Sequence, residues 1–176
     1  HDEPAVKALL PKLSIEMRYN EAGEQRMFLD GEDVSEAIRM PEISICASDV
    51  SSLPAVRSFL LEMQRRLARE HNVVMDGRDI GTVVLPDADL KIFLTASAEQ
   101  RAKRRMLELE AKGVNASFDE VLKDIEYRDE QDTKRAAAPL RAAEDAVHVD
   151  TSSLNFEESA ALLAGLVIDR LSPKRE

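Results

Sequence analysis

The chain has 176 residues, a formal net charge of −10, 44% hydrophobic residues and 33% charged residues. This length and composition predict a folded globular domain with room for a small inserted lobe, and they exclude a disordered chain. The acidic charge argues against nucleic-acid or anionic-membrane partners, which need a basic face, but a local arginine cluster could still bind a phosphorylated ligand. The single cysteine, Cys46, cannot form an internal disulfide, so we expect a reducing, cytoplasmic location. The three histidines lack metal-ligand spacing, and nothing indicates a zinc site.

Residues 1–50 predict a small α+β lobe. A short helix is expected over residues 4–10. Alternating apolar and polar residues over 13–19, followed by a turn and a second run over 25–29, predict an antiparallel hairpin. A short helix around residues 35–39 completes the lobe.

Beyond residue 50 the pattern changes to strands and helices in alternation. Predicted strands lie at 73–75, 90–94 and 146–149, and predicted helices at 54–70, 97–112, 117–135 and 155–171. Two of these helices begin with a capping-box pattern, at Ser97 and at Ser117. This order predicts a parallel α/β sheet.

Polar residues follow directly after the apolar run Val73-Val74-Met75. If that run is a buried strand, Asp76, Arg78 and Asp79 lie beyond its carboxyl end, where open α/β sheets bind ligands. The alternative is an ordinary charged turn at the end of a strand.

The helix over 117–135 carries Arg128, Asp132 and Arg135 on one face, because an α-helix turns by roughly 100° per residue. Arginines bind phosphate oxygens and a carboxylate accepts from hydroxyls, so the trio could hold a sugar phosphate. An exposed helix surface with internal ion pairs is the alternative.

Further arginines lie on two other predicted helices. The helix from residue 97 has a basic patch suited to a polyphosphate, although a solvated helix face explains it equally well. Its members are Arg101, Lys103, Arg104 and Arg105. On the helix over 54–70, Arg57 has Leu61 rather than an acid four residues on, which favours a ligand or a tertiary partner. Three arginine-bearing segments beside a carboxylate-rich strand end indicate phosphoryl transfer.

Several segments, in this order along the chain, resemble the bacterial cytidylate (CMP) kinases. They are Gly31-Glu32-Asp33-Val34-Ser35, Asp76-Gly77-Arg78-Asp79-Ile80-Gly81-Thr82-Val83-Val84-Leu85-Pro86, Lys91-Ile92-Phe93-Leu94, Arg101-Ala102-Lys103-Arg104-Arg105, the stretch 128–135 with Ala138-Pro139-Leu140, and Asp150-Thr151-Ser152. The similarity covers essentially the whole chain.

The resemblance implies the fold of the P-loop nucleoside monophosphate kinases, a parallel sheet with helices on both faces and a small α+β insert. Residues 1–50 would form the monophosphate-binding lobe and residues 51–176 the remainder of the kinase core, with a lid at about 97–135. The implied reaction transfers the γ-phosphoryl group of ATP to CMP or dCMP with Mg²⁺, and the family is expected to be monomeric.

The resemblance also implies roles for individual residues on the acceptor side. Ser48, Arg57 and Asp79 would recognise the cytosine, and Arg78 would hold the acceptor phosphate. Cytosine offers an amino donor to a carboxylate and acceptor atoms to an arginine or a hydroxyl. A site built on such pairs rejects a base that lacks the partner group.

The remaining implied roles fall on the two helices after residue 97. Arg128 and Asp132 would contact the ribose, Arg135 would complete the acceptor site, and Arg104 would reach the ATP phosphates. Arg78, Arg104 and Arg128 would be the catalytic arginines.

One defining element of the family does not occur in the sequence. None of the six glycines begins a Gly-x-x-x-x-Gly-Lys-[Ser/Thr] phosphate loop. We expect that the chain is the remainder of a longer protein, with the first strand, the P-loop and about 50 residues upstream, from the size of a βαβ unit. Two alternatives follow: a nucleotide-binding fragment that keeps the CMP side but is inactive without the P-loop, or another pyrimidine monophosphate kinase.

Overall fold

The computed structural model describes residues 2–40, 43, 46–47, 50–51, 53–111, 113–134 and 138–172. Within them the chain forms two units, residues 1–73 and residues 74–176.

In the part of the chain that the structure describes, the first unit contains helices and an antiparallel sheet of three strands. Its elements are α1 (Glu3–Leu9), β1 (Ile15–Tyr19), β2 (Gln25–Leu29), β3 (Glu32–Asp33) and α2 (Pro54–Glu70). Strands β1 and β2 pair from Ile15 opposite Leu29 to Tyr19 opposite Gln25, which confirms the predicted hairpin. The helix expected around residues 35–39 is a single 3₁₀ turn, Ala37–Arg39.

A tight turn that the sequence analysis did not predict adds the third strand. Leu29 pairs with Glu32, so the loop between β2 and β3 has only two residues, Asp30 and Gly31. Their φ angles are +51° and +86°, the left-handed pair that a type I′ turn requires. An Asp-Gly sequence allows this at little cost, because glycine adopts positive φ freely and aspartate tolerates it.

Asp33 accepts hydrogen bonds from two neighbours in this sheet. The hydroxyl of Ser35, which is only 2% exposed, donates to Asp33 Oδ1 at 2.6 Å and accepts from the Met27 amide at 2.8 Å. Arg26 Nε donates to Asp33 Oδ2 at 2.9 Å. The Ser35 hydroxyl and amide, followed by Arg26, lower the pKa of the Asp33 carboxyl from 3.8 to about 2.

We predict that the first unit loses stability in acid through Asp33. A carboxyl whose pKa is lowered by folding stabilises the protein fully above its unfolded pKa of 3.8, and that contribution disappears as the pH falls toward about 2. Hydrogen exchange of the β1–β2 amides between pH 5 and pH 2, compared for the wild type and Asp33→Asn, measures it. The wild type should lose protection over this window and Asp33→Asn should lose less. Glu21→Gln, which removes a carboxylate from the hairpin turn, is the control, and identical profiles for all three proteins would contradict the prediction.

The second unit is an α/β arrangement with a parallel pair of strands. Its elements are a π-helical turn (Ile80–Val84), β4 (Ile92–Thr95), α3 (Ala98–Ala111), α4 (Phe118–Lys134), β5 (Val147–Asp150) and α5 (Phe156–Leu171). Strands β4 and β5 run parallel, from Ile92 opposite Val147 to Thr95 opposite Asp150. The parallel pairing confirms the predicted direction of the strands.

The prediction of a strand over residues 73–75 is wrong, because the structure has no strand there. Residues 73–76 have no regular secondary structure, and Val74 is 98% exposed. An extended segment becomes a strand only when a neighbour accepts and donates its backbone hydrogen bonds, and no described residues pair with this one. The described parallel sheet therefore has two strands where the sequence predicted three.

The helices of the second unit begin where their capping residues predict. Ser117 Oγ accepts from the Glu120 amide while Glu120 accepts from the Ser117 amide, both at 3.2 Å, which closes the capping box of α4. The loop from α3 to α4 passes through Gly113, whose φ is +71°. Ala102 of α3 is fully buried and Val121 of α4 is 8% exposed, so these positions lie in the core of the unit. No helix in the described part of the chain has the length and apolar character needed to cross a bilayer.

Candidate functional site

The carboxyl ends of the two parallel strands are joined by side-chain hydrogen bonds. Thr151 follows β5, is 3% exposed, and donates from both its amide (2.8 Å) and its hydroxyl (3.1 Å) to the carbonyl oxygen of Thr95. The Ser97 amide donates to Ser152 Oγ at 2.8 Å, and that hydroxyl donates to Asp150 Oδ1. These hydrogen bonds fix the geometry of this edge of the sheet, and helices α3 and α5 begin shortly after it.

Arg104 of α3 contacts the loop after β5. Its Nη2 donates to the carbonyl oxygens of Thr151 (2.6 Å) and Leu154 (3.1 Å), and its Nη1 lies 3.4 Å from the Thr151 hydroxyl. In this conformation the guanidinium holds the loop in place. Contact with ATP phosphates, the role implied for Arg104, would require it to share or release these carbonyls, and that role stays a prediction.

Two of the predicted acceptor-side residues are in direct contact. Arg78 Nε donates to Asp132 Oδ2 at 2.8 Å, although the residues are 54 positions apart in the chain. The Arg78 side chain is 57% exposed and that of Asp132 25% exposed, so solvent reaches the guanidinium. A carboxylate oxygen here occupies the kind of position on an arginine that a phosphate oxygen takes.

Arg128 and Asp132 both lie in the last turns of α4. The carbonyl of Asp132 accepts from the Leu140 amide at 2.8 Å, which anchors the end of α4. Arg128 lies one turn earlier and lines an open groove of about 520 Å³ between α3 and α4. Arg105, Glu120 and Asp124 also line this groove, so it has both signs of charge.

Arg101 and Asp129 form a bidentate ion pair that the sequence analysis did not identify. Nη1 and Nη2 of Arg101 donate to the two carboxylate oxygens of Asp129 at 2.9 and 2.6 Å. This hydrogen bonding raises the pKa of the Arg101 guanidinium above its usual value. The sequence placed Arg101 only in a basic patch, and no pattern marked Asp129 as its partner because the two lie 28 residues apart.

Two further predicted site residues, Asp79 and Arg57, lie within the described part of the chain. The carbonyl of Asp79 accepts from the Val84 amide at 3.2 Å, the i to i+5 hydrogen bond that begins the π-helical turn, and also from the Val83 amide at 2.9 Å. Arg57 lies on α2 in the first unit. Ser48 and Arg135 lie outside the described residues.

The described residues contain no cluster of metal-ligating side chains. Within residues 2–40, 53–111, 113–134 and 138–172, and the few described between 43 and 51, no three His, Cys, Asp or Glu side chains are grouped as ligands. Mg²⁺ commonly enters kinase sites on the phosphates of a nucleotide and keeps several waters.

The arrangement is that of an α/β protein in which Arg104 contacts the loop after a parallel strand, and open α/β sheets bind ligands beyond the carboxyl ends of such strands. The family model described as "Cytidylate kinase" matches residues 1–167. The chain belongs to the cytidylate kinase family.

Curated relatives support this assignment over most of the chain. A cytidylate kinase from Caldicellulosiruptor bescii is 52% identical over 158 residues, covering 90% of this chain and 70% of the relative. One from Carboxydothermus hydrogenoformans is 50% identical over 166 residues, covering 94% and 74% respectively. One from Pseudomonas syringae pv. tomato is 51% identical over 158 residues, covering 89% and 69%.

Proposed function

We propose that this protein is an ATP-dependent kinase that transfers the γ-phosphoryl group to CMP or dCMP. The main support is membership of the cytidylate kinase family, with relatives of that name about 50% identical over most of the chain. The contact between Arg78 and Asp132 also supports the proposal, because it brings together an arginine suited to a phosphate and a carboxylate suited to sugar hydroxyls. We further propose that the protein acts as a monomer in the cytoplasm.

Arg78 is proposed to bind the acceptor phosphate. Its side chain is more than half exposed, and its Nε already donates to an anionic oxygen, that of Asp132, at 2.8 Å. A dianionic phosphate competes well for this position, because an exposed ion pair contributes only about 0–1 kcal/mol. When the phosphate binds Arg78, the Asp132 carboxylate becomes available to accept from the ribose hydroxyls. Arg128, one helical turn before Asp132, is proposed to contact the same sugar.

Recognition of the base is proposed for Asp79, Arg57 and Ser48. The cytosine amino group donates and matches a carboxylate, while its ring nitrogen and carbonyl oxygen accept and match an arginine or a hydroxyl. Uracil has a carbonyl in place of that amino group and would put two acceptors against each other. Discrimination of this kind can reach several orders of magnitude, because buried polar groups would be left unpaired.

Phosphoryl transfer depends mainly on positioning and charge neutralisation, which arginines can supply. Arg104 and Arg128 are proposed to join Arg78 as the catalytic arginines, and Arg135 to complete the acceptor site. Mg²⁺ is proposed to bind through the ATP phosphates. Residues 1–50 are proposed to form the monophosphate-binding lobe, and residues 97–135 the lid.

A coupled assay of the protein as expressed from its own gene tests the proposal. With ATP and Mg²⁺, we expect CMP and dCMP to be phosphorylated at least about a hundredfold more efficiently than UMP or AMP, from the discrimination that paired polar groups provide. Equal turnover of UMP would point to a different pyrimidine monophosphate kinase. Binding of CMP in calorimetry without turnover would point to a nucleotide-binding module that lacks catalysis.

A further inference from the structure

Arg101 joins three parts of the second unit with one side chain. Its Nε donates to the carbonyl of Ala96 at 2.9 Å, and Ala96 directly follows β4. Its two terminal nitrogens donate to Asp129 on α4 at 2.9 and 2.6 Å. Arg101 itself lies near the start of α3. The carboxyl end of the sheet, α3 and α4 are therefore joined at one guanidinium.

Asp129 lies at a position on α4 from which its contact with Arg101 can set the rotation of the helix. Asp129 directly follows Arg128 and precedes Asp132 by three residues. At roughly 100° per residue, Arg128 and Asp132 lie about 40° apart around the helix, and Asp129 points to the adjacent face. A contact at Asp129 can therefore set the rotation of α4 without occupying the face that carries Arg128 and Asp132.

The geometry of the pair is suited to this role. A guanidinium and a carboxylate joined by two parallel hydrogen bonds resist rotation, unlike a single contact between point charges. The side chains are 36% and 42% exposed, and Ala102, next to Arg101, is fully buried and keeps α3 close to its neighbours. By contrast, the nearby pair of Lys134 and Glu130 lies within α4 at a spacing of four residues. It cannot fix the helix against another element.

We infer that Arg101 and Asp129 are positioning residues for the acceptor: their paired contact holds the last turns of α4 so that Asp132 reaches Arg78 and Arg128 faces the same side. Neither residue touches the substrate in this role. The inference depends on the proposed function for the identity of the acceptor, and on the observed contacts for the positioning.

Arg101→Lys and Asp129→Asn test the inference, with Glu130→Gln as the control on the same helix. Lysine keeps the charge of Arg101 but cannot form the two-pronged contact. We expect each variant to raise the KM for CMP about tenfold while the KM for ATP changes less than about threefold, since a small misplacement of the groups that bind the acceptor is costly. The double variant should lose little more than either single variant, because both remove the same contact. Glu130→Gln should behave as the wild type.

Hydrogen exchange provides a readout that does not depend on turnover. The amides of residues 130–134 should exchange faster in Arg101→Lys than in the wild type, and as in the wild type in Glu130→Gln, with circular dichroism showing that each variant is folded. If the wild type turns over CMP and the KM for CMP is unchanged in Arg101→Lys and Asp129→Asn, the positioning role is overturned and the proposed function stays intact. No CMP turnover by the wild type would overturn the proposed function, and faster exchange in Arg101→Lys would still support the positioning of α4. Unchanged exchange would overturn that positioning.

Discussion

Arg78→Gln should lower kcat/KM for CMP by about a hundredfold or more, the scale seen when a donor to a charged oxygen is removed from a transfer site. Glutamine cannot supply the positive charge or the planar set of donors that Arg78 presents to a phosphate. Its amide can still donate one hydrogen bond to Asp132, so the fold around α4 should persist. Steady-state kinetics with varied CMP and saturating ATP measure the effect, and the melting temperature shows whether the variant is folded.

Arg69→Gln is a matched control for this experiment. Arg69 also forms one 2.8 Å contact with a carboxylate, that of Glu62, and its side chain is 60% exposed against 57% for Arg78. Removal of either guanidinium costs a similar exposed ion pair, which contributes little to stability. Any difference in kinetics between the two variants therefore reports on the acceptor site. Equal kcat/KM values for CMP in both variants would show that Arg78 does not bind the acceptor phosphate.

Asp132→Asn should lower kcat/KM for CMP by about tenfold to a hundredfold, because a hydrogen bond to a charged acceptor contributes about 1.5–3 kcal/mol. Two effects of the substitution oppose each other. In the enzyme without substrate, Arg78 would lose its ion pair with residue 132, which favours phosphate binding. That pair is solvent-exposed on the Arg78 side and contributes at most about 1 kcal/mol. Losing the carboxylate that accepts from the ribose hydroxyls costs more than this, so the net effect is a weaker acceptor site.

Parallel kinetics with CMP and dCMP identify the hydroxyl that Asp132 contacts. If the carboxylate accepts from the 2′-hydroxyl, Asp132→Asn should impair CMP and leave dCMP nearly unchanged. If it accepts from the 3′-hydroxyl, both substrates should lose activity together. Glu62→Gln, which removes the carboxylate partner of Arg69, is the control and should affect neither. A variant Asp132→Asn with wild-type kinetics on both substrates would exclude a role for Asp132 in acceptor binding.

Local sequence patterns predicted the elements whose hydrogen bonds are internal or close in the chain. The hairpin of β1 and β2 follows from alternation over two short segments, and the start of α4 follows from Ser117 and Glu120. The apolar run Val73-Val74-Met75 shows the opposite case. Its composition favours a strand, but a strand forms only with a neighbour, and Val74 is 98% exposed in the described structure.

The arginines of α3 show why the site could be predicted only in part. Arg101 and Arg104 are the same residue type on one helix, and the sequence grouped them in one basic patch. In the structure Arg101 forms a bidentate pair with Asp129, whereas Arg104 donates to the carbonyls of Thr151 and Leu154. Backbone carbonyls have no signature in the sequence, and the partner of an ion pair 28 residues away depends on how two helices pack.

By itself the sequence determined the type and approximate limits of most elements, the parallel direction of β4 and β5, and the residue types suited to a phosphorylated ligand. These depend on periodicity, capping and charge, which are local properties. Only the tertiary structure decided that Arg78 contacts Asp132, that Arg101 pairs with Asp129, and that residues 73–76 form no strand. Such contacts depend on which segments the fold brings together, and a short-range pattern contains no information about a partner that is distant in the chain.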